Sequence, residues 1–422
     1  MKRFLFVSLI LFLAGSCQKG TNNNNDNDNP RSEPVVINLS ANQAKITSGG
    51  NINSLNLFSL IVDDEIKSGK NSNVIISPLS LYIALAMTWN GAEGETKAEI
   101  QRFLGLEGLT EVEVNEYFKK LLDALPATDP KAKVSIANSI WHDKGLNVLA
   151  DFKNKNTTYF NSEVNPLDFK NSSSVDIINK WCSDKTEGII KKIIEQIQSD
   201  EVMFLINALY FKAPWSAPFD KNKTAISQFV LSNGSSVNTP MMSKLENLLY
   251  SENSDFKTLK LGYGNGAFSM ILILPSGNKK IKDITGIIKD PAVWSSIIGN
   301  KLTGLVDLKI PKFKFEYENR LDPFLKTLGI NRAFNAYESE LNKIANVGTE
   351  RLYISRVLQK AAIETNEEGS EAAAVTAIGV GVTSAPMPKE FYANRPFIFA
   401  ITENSTNTVL FIGKVENPVL NN

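Results

Sequence analysis

Apolar side chains at Leu55, Phe58, Ile61 and Val62 recur at the spacing of one helix face. Asn73 and the apolar run over 74–76, closed by Ser77-Pro78, predict a short buried strand ending at a helix start. Residues 79–89 predict a helix buried on most sides, so the small polar groups of Ser77 and Ser80 need partners inside a core. Residues 96–104 and 111–125 predict amphipathic helices, and 151–159 and 175–185 are again helical. Residues 134–141 alternate like a strand and break at 142–145. The near-continuous apolar run 201–211 predicts a strand covered on both faces. Further strands are predicted over 267–274, 305–310 and 409–412. Helices dominate the first half and strands the second, which argues for an α+β chain rather than alternating α/β. No fixed-period repeat or internal linker interrupts the stretch from Ile46 to Pro418, so it reads as one domain.

One stretch fits neither pattern. The acids Glu367, Glu368 and Glu371 give way to a run over 372–388 with no charge at all. That run is rich in Val, Ile and Thr, which suit a strand. It also carries Gly379, Gly381, Pro386 and Pro388, which suit a loop. The combination points to a loop that becomes a strand.

Composition removes several classes of function. The 422 residues include 45 basic and 45 acidic side chains, and this balance favours neither nucleic acid nor an anionic membrane surface as a partner. Lys2-Arg3 precede an apolar run over 4–13, too short to span a bilayer, which reads as a signal peptide over 1–17. It ends in Ala14-Gly15-Ser16-Cys17, which resembles a bacterial lipoprotein signal with Cys17 as the lipidated residue. The expected location is the bacterial cell envelope, at the outer-membrane surface or in the periplasm. Residues 18–45 open with an Asn- and Asp-rich stretch too polar to order itself and read as a disordered tether. Residues 46–422 are then the single domain. The remaining cysteine, Cys182 beside Trp181, reads as a small buried hydrophobe.

An enzyme finds little to work with. The only histidine is His142, read as an exposed loop residue, and no nucleophile elbow accompanies it. Paired-histidine metal motifs, a Walker loop and a dinucleotide fingerprint are absent from the sequence. The glycines over 262–266 read as a turn between strands.

Taken in order, several short motifs resemble the serpin family. They are Asn73-Val74-Ile75-Ile76-Ser77-Pro78-Leu79-Ser80, Asn207-Ala208-Leu209-Tyr210-Phe211-Lys212 with Trp215, and Pro311-Lys312-Phe313-Lys314. Two more follow, the hinge-like run from Glu367 through Gly369, Ser370, Ala372, Ala373, Ala374 and Val375 to Thr376, and Phe411-Ile412-Gly413-Lys414-Val415-Glu416-Asn417-Pro418. The resemblance implies a serpin fold of three β-sheets with about nine helices and an exposed reactive-centre loop, here about 367–390. It implies a suicide-substrate inhibitor whose cut loop enters the main sheet as a new strand. It implies a monomer without a cofactor, whose partner is the target protease.

The same resemblance assigns residues. Counting from Glu367 places the reactive bond at Thr383-Ser384, with Val382 and Val380 as alternatives. Ser77, Ser80 and Asn207 match a polar cluster beneath the sheet, and Gln359 stands where family members often carry histidine. Trp215 matches the tryptophan where the loop first enters. No Lys or Arg occurs over 372–388, so elastase-like or subtilisin-like serine proteases are expected, with cysteine proteases that accept Val a further class. The alternative is a non-inhibitory serpin-fold lipoprotein acting as a binding protein.

Overall fold

The computed structural model describes residues 32–369 and 387–419. The first helix, α1 (Ala41–Lys67), starts at a capping box. Ser40 accepts from the Gln43 N–H, and the Gln43 side chain accepts from the Ser40 N–H. Ile37 and Ile46 are buried. The tether expected to run to residue 45 therefore overlaps the fold, because a cap and one buried isoleucine before it are enough to seat the chain.

After α1 comes β1 (Val74–Ile76), and Ser77 caps α2 (Pro78–Trp89) with Pro78 in its first turn. The helices α3 (Gly94–Leu104) and α4 (Glu111–Ala124) follow. Next come β2 (Lys133–Asp143), β3 (Asn147–Val148), α5 (Ala150–Phe160), β4 (Ser162–Leu167), α6 (Ser173–Lys185) and β5 (Met203–Lys212). A strand-rich stretch contains β6 (Ala225–Val230), β7 (Ser236–Glu252), β8 (Phe256–Tyr263) and β9 (Phe268–Pro275). Two short helices, α7 (Ile281–Ile288) and α8 (Pro291–Ile298), lead to β10 (Thr303–Pro311), β11 (Phe313–Arg320) and α9 (Asp322–Thr327). The chain closes with β12 (Ala345–Asn346), β13 (Leu358–Thr365), β14 (Lys389–Tyr392), β15 (Phe397–Glu403) and β16 (Val409–Val415).

Nine strands form the largest sheet, in the order β1-β16-β15-β9-β8-β7-β10-β14, with β6 on β7. Its centre is dry: every residue of β9, β15 and β16 is buried. Phe313, Phe397 and Phe399 pack ring against ring where β11 crosses this sheet, with centroids 5.7–6.0 Å apart. A second, three-stranded sheet runs β4-β2-β5, and among the described residues β11 pairs with β13 alone. The nine α-helices among the described residues complete an α+β fold.

Two expectations need correction. His142 lies within β2, buried, with Nδ1 2.9 Å from the Asp143 carbonyl oxygen; the strand continues two residues past the apparent break. The run holding β5 is not covered on both faces, since six of its ten residues are only half-buried.

Candidate functional site

The exposure of β5 has a topological cause. One edge of β5 is paired with β2 from Lys133↔Lys212 to His142↔Met203, and one edge of β13 is paired with β11. Among the described residues no strand pairs with the other edge of either. A cavity of about 760 Å³ borders both residues 203–207 of β5 and 357–360 at the start of β13. A second, of about 360 Å³, borders 209–212 and 362–364. Residue numbers rise together along the two strands, so they run the same way on either side of a slot. A chain turning back from the end of β13 into this slot would run antiparallel to both edges, and unpaired edges are templates for an added strand.

The upper end of the slot is clamped by the residues that follow β13. Trp215 stacks on Tyr263 at 4.4 Å and donates its indole N–H to the Asn366 carbonyl (2.9 Å). The Trp215 backbone N–H donates to the Glu368 carbonyl (2.9 Å), the Phe219 N–H donates to the Glu367 carbonyl (2.8 Å), and Pro214 bridges to Gly369. Glu367 is buried, yet Thr224 donates to one carboxylate oxygen (2.8 Å) and Lys312 pairs with the other (2.9 Å). Burial pushes its pKa up, but the hydrogen bonds from Lys312 and Thr224 outweigh that and hold it below the usual carboxylate range. Glu368 pairs with Lys221. Gly369 has φ +123°, and a Cβ there would meet Ala213 O at 2.5 Å and Trp215 N at 2.6 Å, so only glycine fits.

Midway along, the N-terminal turn of α2 holds both edges from beneath. On the β13 side, the Gln359 amide accepts from the Ser77 N–H (3.0 Å) and donates to the Ser77 carbonyl (2.7 Å). On the β5 side, the Ser80 hydroxyl donates to the Asn207 carbonyl (3.3 Å). The Ser77 hydroxyl donates to the Leu410 carbonyl (2.9 Å) and accepts from the Ser80 N–H (3.3 Å). Asn207 donates to the Asn138 side chain (2.6 Å), which itself donates to the Phe160 carbonyl (2.6 Å). The structure thus brings Ser77, Ser80, Asn207 and Gln359 into one network. Asn138 is the member that sequence reading missed; the one signal was an asparagine inside an alternating strand. The buried Asn207 Oδ1 has no partner among the described residues, and such a group costs about 1–3 kcal/mol until it finds a donor.

The lower end is also tied. Arg356, just before β13, pairs with the buried Glu201, just before β5, at 2.7 Å. Tyr353 donates to Asp200 (2.7 Å) and Ser355 to Glu201 (3.1 Å). None of these residues stood out in the sequence, because the partners lie about 155 positions apart.

Other candidates fall elsewhere. Cys182 is buried and free, with its thiol pushed up to about 12 by burial, so it is no nucleophile at neutral pH. Among the described residues there is no His, Cys, Asp and Glu cluster suited to a metal. No described helix is long and apolar enough to cross a membrane. Cys17, the hinge positions Ser370, Glu371, Ala372, Ala373, Ala374, Val375 and Thr376, and the reactive positions Val380, Val382, Thr383 and Ser384 lie outside the described residues.

Comparison with known proteins agrees with this architecture. A model of the family Serpin (serine protease inhibitor) matches residues 53–418. Serpin-ZX of Arabidopsis thaliana is 33% identical over 368 residues, covering 83% of this chain and 93% of that protein. The native thermophilic serpin tengpin superposes with a TM-score of 0.79 at 32% identity, covering 92% of this chain and 98% of that one. Human thyroxine-binding globulin in complex with thyroxine gives 0.80 at 27% identity, covering 90% of this chain and 100% of that one. With the family's signature running nearly end to end over a fold it shares, the chain belongs to the serpin family.

Proposed function

We propose that this serpin is a suicide-substrate inhibitor of serine proteases. The observation that carries the reading is the unpaired slot between β5 and β13, with Glu367, Glu368 and Gly369 already seated at its upper end. The protease serine attacks the Thr383 carbonyl, the Ser384 amine leaves, and an ester joins protease to inhibitor. The freed chain enters the slot and carries the ester with it before water can resolve it. The residue types support insertion: Ser370, Ala372, Ala374, Thr376, Ile378 and Val380 share one side of an extended strand and none is charged. Burying them contributes on the order of 5–10 kcal/mol.

Target chemistry follows from the absence of cations. Lys389, the first lysine after the hinge, belongs to β14, pairs with Glu252 at 2.8 Å and sits opposite Val306. A trypsin-like pocket therefore has no free cation to hold near the reactive bond. Elastase-like and subtilisin-like enzymes are the favoured class, with Val-accepting cysteine proteases as a further one.

The experiment is to mix the protein with elastase, subtilisin, trypsin and papain and run denaturing gels. A covalent band that survives boiling with elastase or subtilisin is expected, and Ser370→Arg should convert that band into cleaved inhibitor. Cleavage without a covalent band for all four would favour a non-inhibitory binding protein, the role that thyroxine-binding globulin carries in its name. We also propose that Cys17 carries a lipid that anchors the domain to a bacterial envelope. Detergent partitioning of the parent protein should be lost in Cys17→Ala.

A further inference from the structure

The lower end of the slot holds a cluster that the insertion reading leaves without a role. Arg356 Nη2 donates to the Glu201 carboxylate (2.9 Å) and to the Gln196 carbonyl (2.8 Å), while Nε lies 2.7 Å from the other Glu201 oxygen as an ionic contact without hydrogen-bond geometry. The Gln198 N–H and the Ser355 hydroxyl complete the Glu201 carboxylate (2.7 and 3.1 Å), whose side chain is 1% exposed. Tyr353 adds its bond to Asp200. These contacts join the segment leading into β5 to the segment leading into β13, across the line a descending strand would follow. An ion pair with a buried carboxylate is hard to open, because the Glu201 charge is left without water when its half-buried partner goes.

The upper clamp gives the register in which a strand would arrive. Pro214 and Gly369 pair antiparallel. In an antiparallel ladder one residue number falls as the other rises. Extending that pairing sets Glu371 opposite Lys212 and Val380 opposite Met203, which uses the whole edge of β5. The next positions fall on the cluster: Val382 comes opposite Glu201, and Thr383 opposite Asp200.

We infer that the Arg356–Glu201 tie, with Tyr353–Asp200, is a stop that the arriving strand must open before its last three residues seat. The tie then positions the final step of insertion and sets how many encounters end as trapped complex. A strand halted at Val380 leaves the ester exposed for longer, and water attack on it releases intact protease and cleaved inhibitor. This inference rests on the insertion reading proposed above.

Two synthetic peptides test it, one spanning residues 370–380 and one spanning 370–383, each incubated with the uncut protein and with its Glu201→Gln and Tyr353→Phe variants. Incorporation is followed on native gels. The short peptide should enter all three proteins at one rate, since it ends above the tie. The long peptide should lag in the parent protein and gain roughly tenfold in Glu201→Gln, with a smaller gain in Tyr353→Phe. The number of inhibitor molecules consumed per trapped protease should fall in both variants. Should Glu201→Gln fail to fold, Tyr353→Phe, which removes one partly exposed hydroxyl, still separates the two peptides. Equal acceleration of both lengths, or of neither, overturns the stop while leaving insertion intact. If neither peptide enters the parent protein, the insertion reading falls and the stop with it.

Discussion

The nine-stranded sheet and the slotted one are built from similar residues but brought to different ends. β9, with the sequence FSMILILP, has partners on both edges and is buried throughout. β5, with MFLINALYFK, is nearly as apolar, but among the described residues no strand lies beside one of its edges, and most of its residues are half-exposed. The first sheet has already gained what burial and pairing can give. On the proposed mechanism the second keeps part of that gain in reserve, its edges bordered by an upper clamp at Trp215 and Glu367, a central network at Ser77 and Gln359, and a lower tie at Glu201. Strand chemistry therefore does not decide whether a strand is finished; the supply of a partner does.

The widest separation between the two sheets should come from cutting the chain between Val380 and Ser384. The melting temperature should rise by more than about 10 °C as the slot fills, and an unchanged melt would mean that nothing enters. Phe399→Ala should act oppositely, removing about 3–5 kcal/mol by leaving a cavity against Phe313. Because that sheet is complete before and after cutting, intact and cut forms should lose similar amounts in calorimetry. A loss confined to one form would break the comparison.

A smaller effect is expected at the central network. Gln359→Ala removes the partner of the buried Ser77 N–H, while the Ser77 carbonyl keeps its bond from the Leu81 N–H; the cost is about 1–3 kcal/mol and should lower the urea midpoint of the intact protein. Gln359→His restores a partner but adds a group that titrates between about pH 5 and 8. Peptide incorporation should become pH-dependent over that range in the variant and stay flat in the parent, where the amide has no proton to lose. The smallest effect belongs to Glu367. Its folded pKa is lowered, so its contribution is present above the ordinary carboxylate value of 4.5 and is lost as pH falls through the lower folded value. Acid titration of the melting temperature should show that loss in the parent protein and not in Glu367→Gln.

Much of the fold could be read from spacing alone. The helices over 79–89, 96–104 and 175–185 and the strand over 409–412 came from periodicity, and the structure places them within a residue or two at most ends. The polar cluster was legible only through family resemblance, since nothing local joins Ser77 to Gln359 across 282 positions. The lower tie was invisible for the same reason and lacked a motif to reveal it. The exposure of β5 could not be seen because periodicity reports side-chain chemistry, whereas an open edge is a property of the backbone. His142 was misplaced because a polar residue near the end of β2 was taken for the strand's end. The start of α1 was missed although Ser40 and Gln43 spell its cap.

The hinge that begins at Glu367 is already fastened at the mouth of the slot, and each molecule has one of each. On the proposed mechanism, a copy that has fired cannot be reset, because opening the completed sheet again would mean giving up the stability gained. Protection would then scale with the number of copies made and with how quickly they are replaced. A cell relying on this protein would meet a surge of proteolysis by synthesis rather than by turnover.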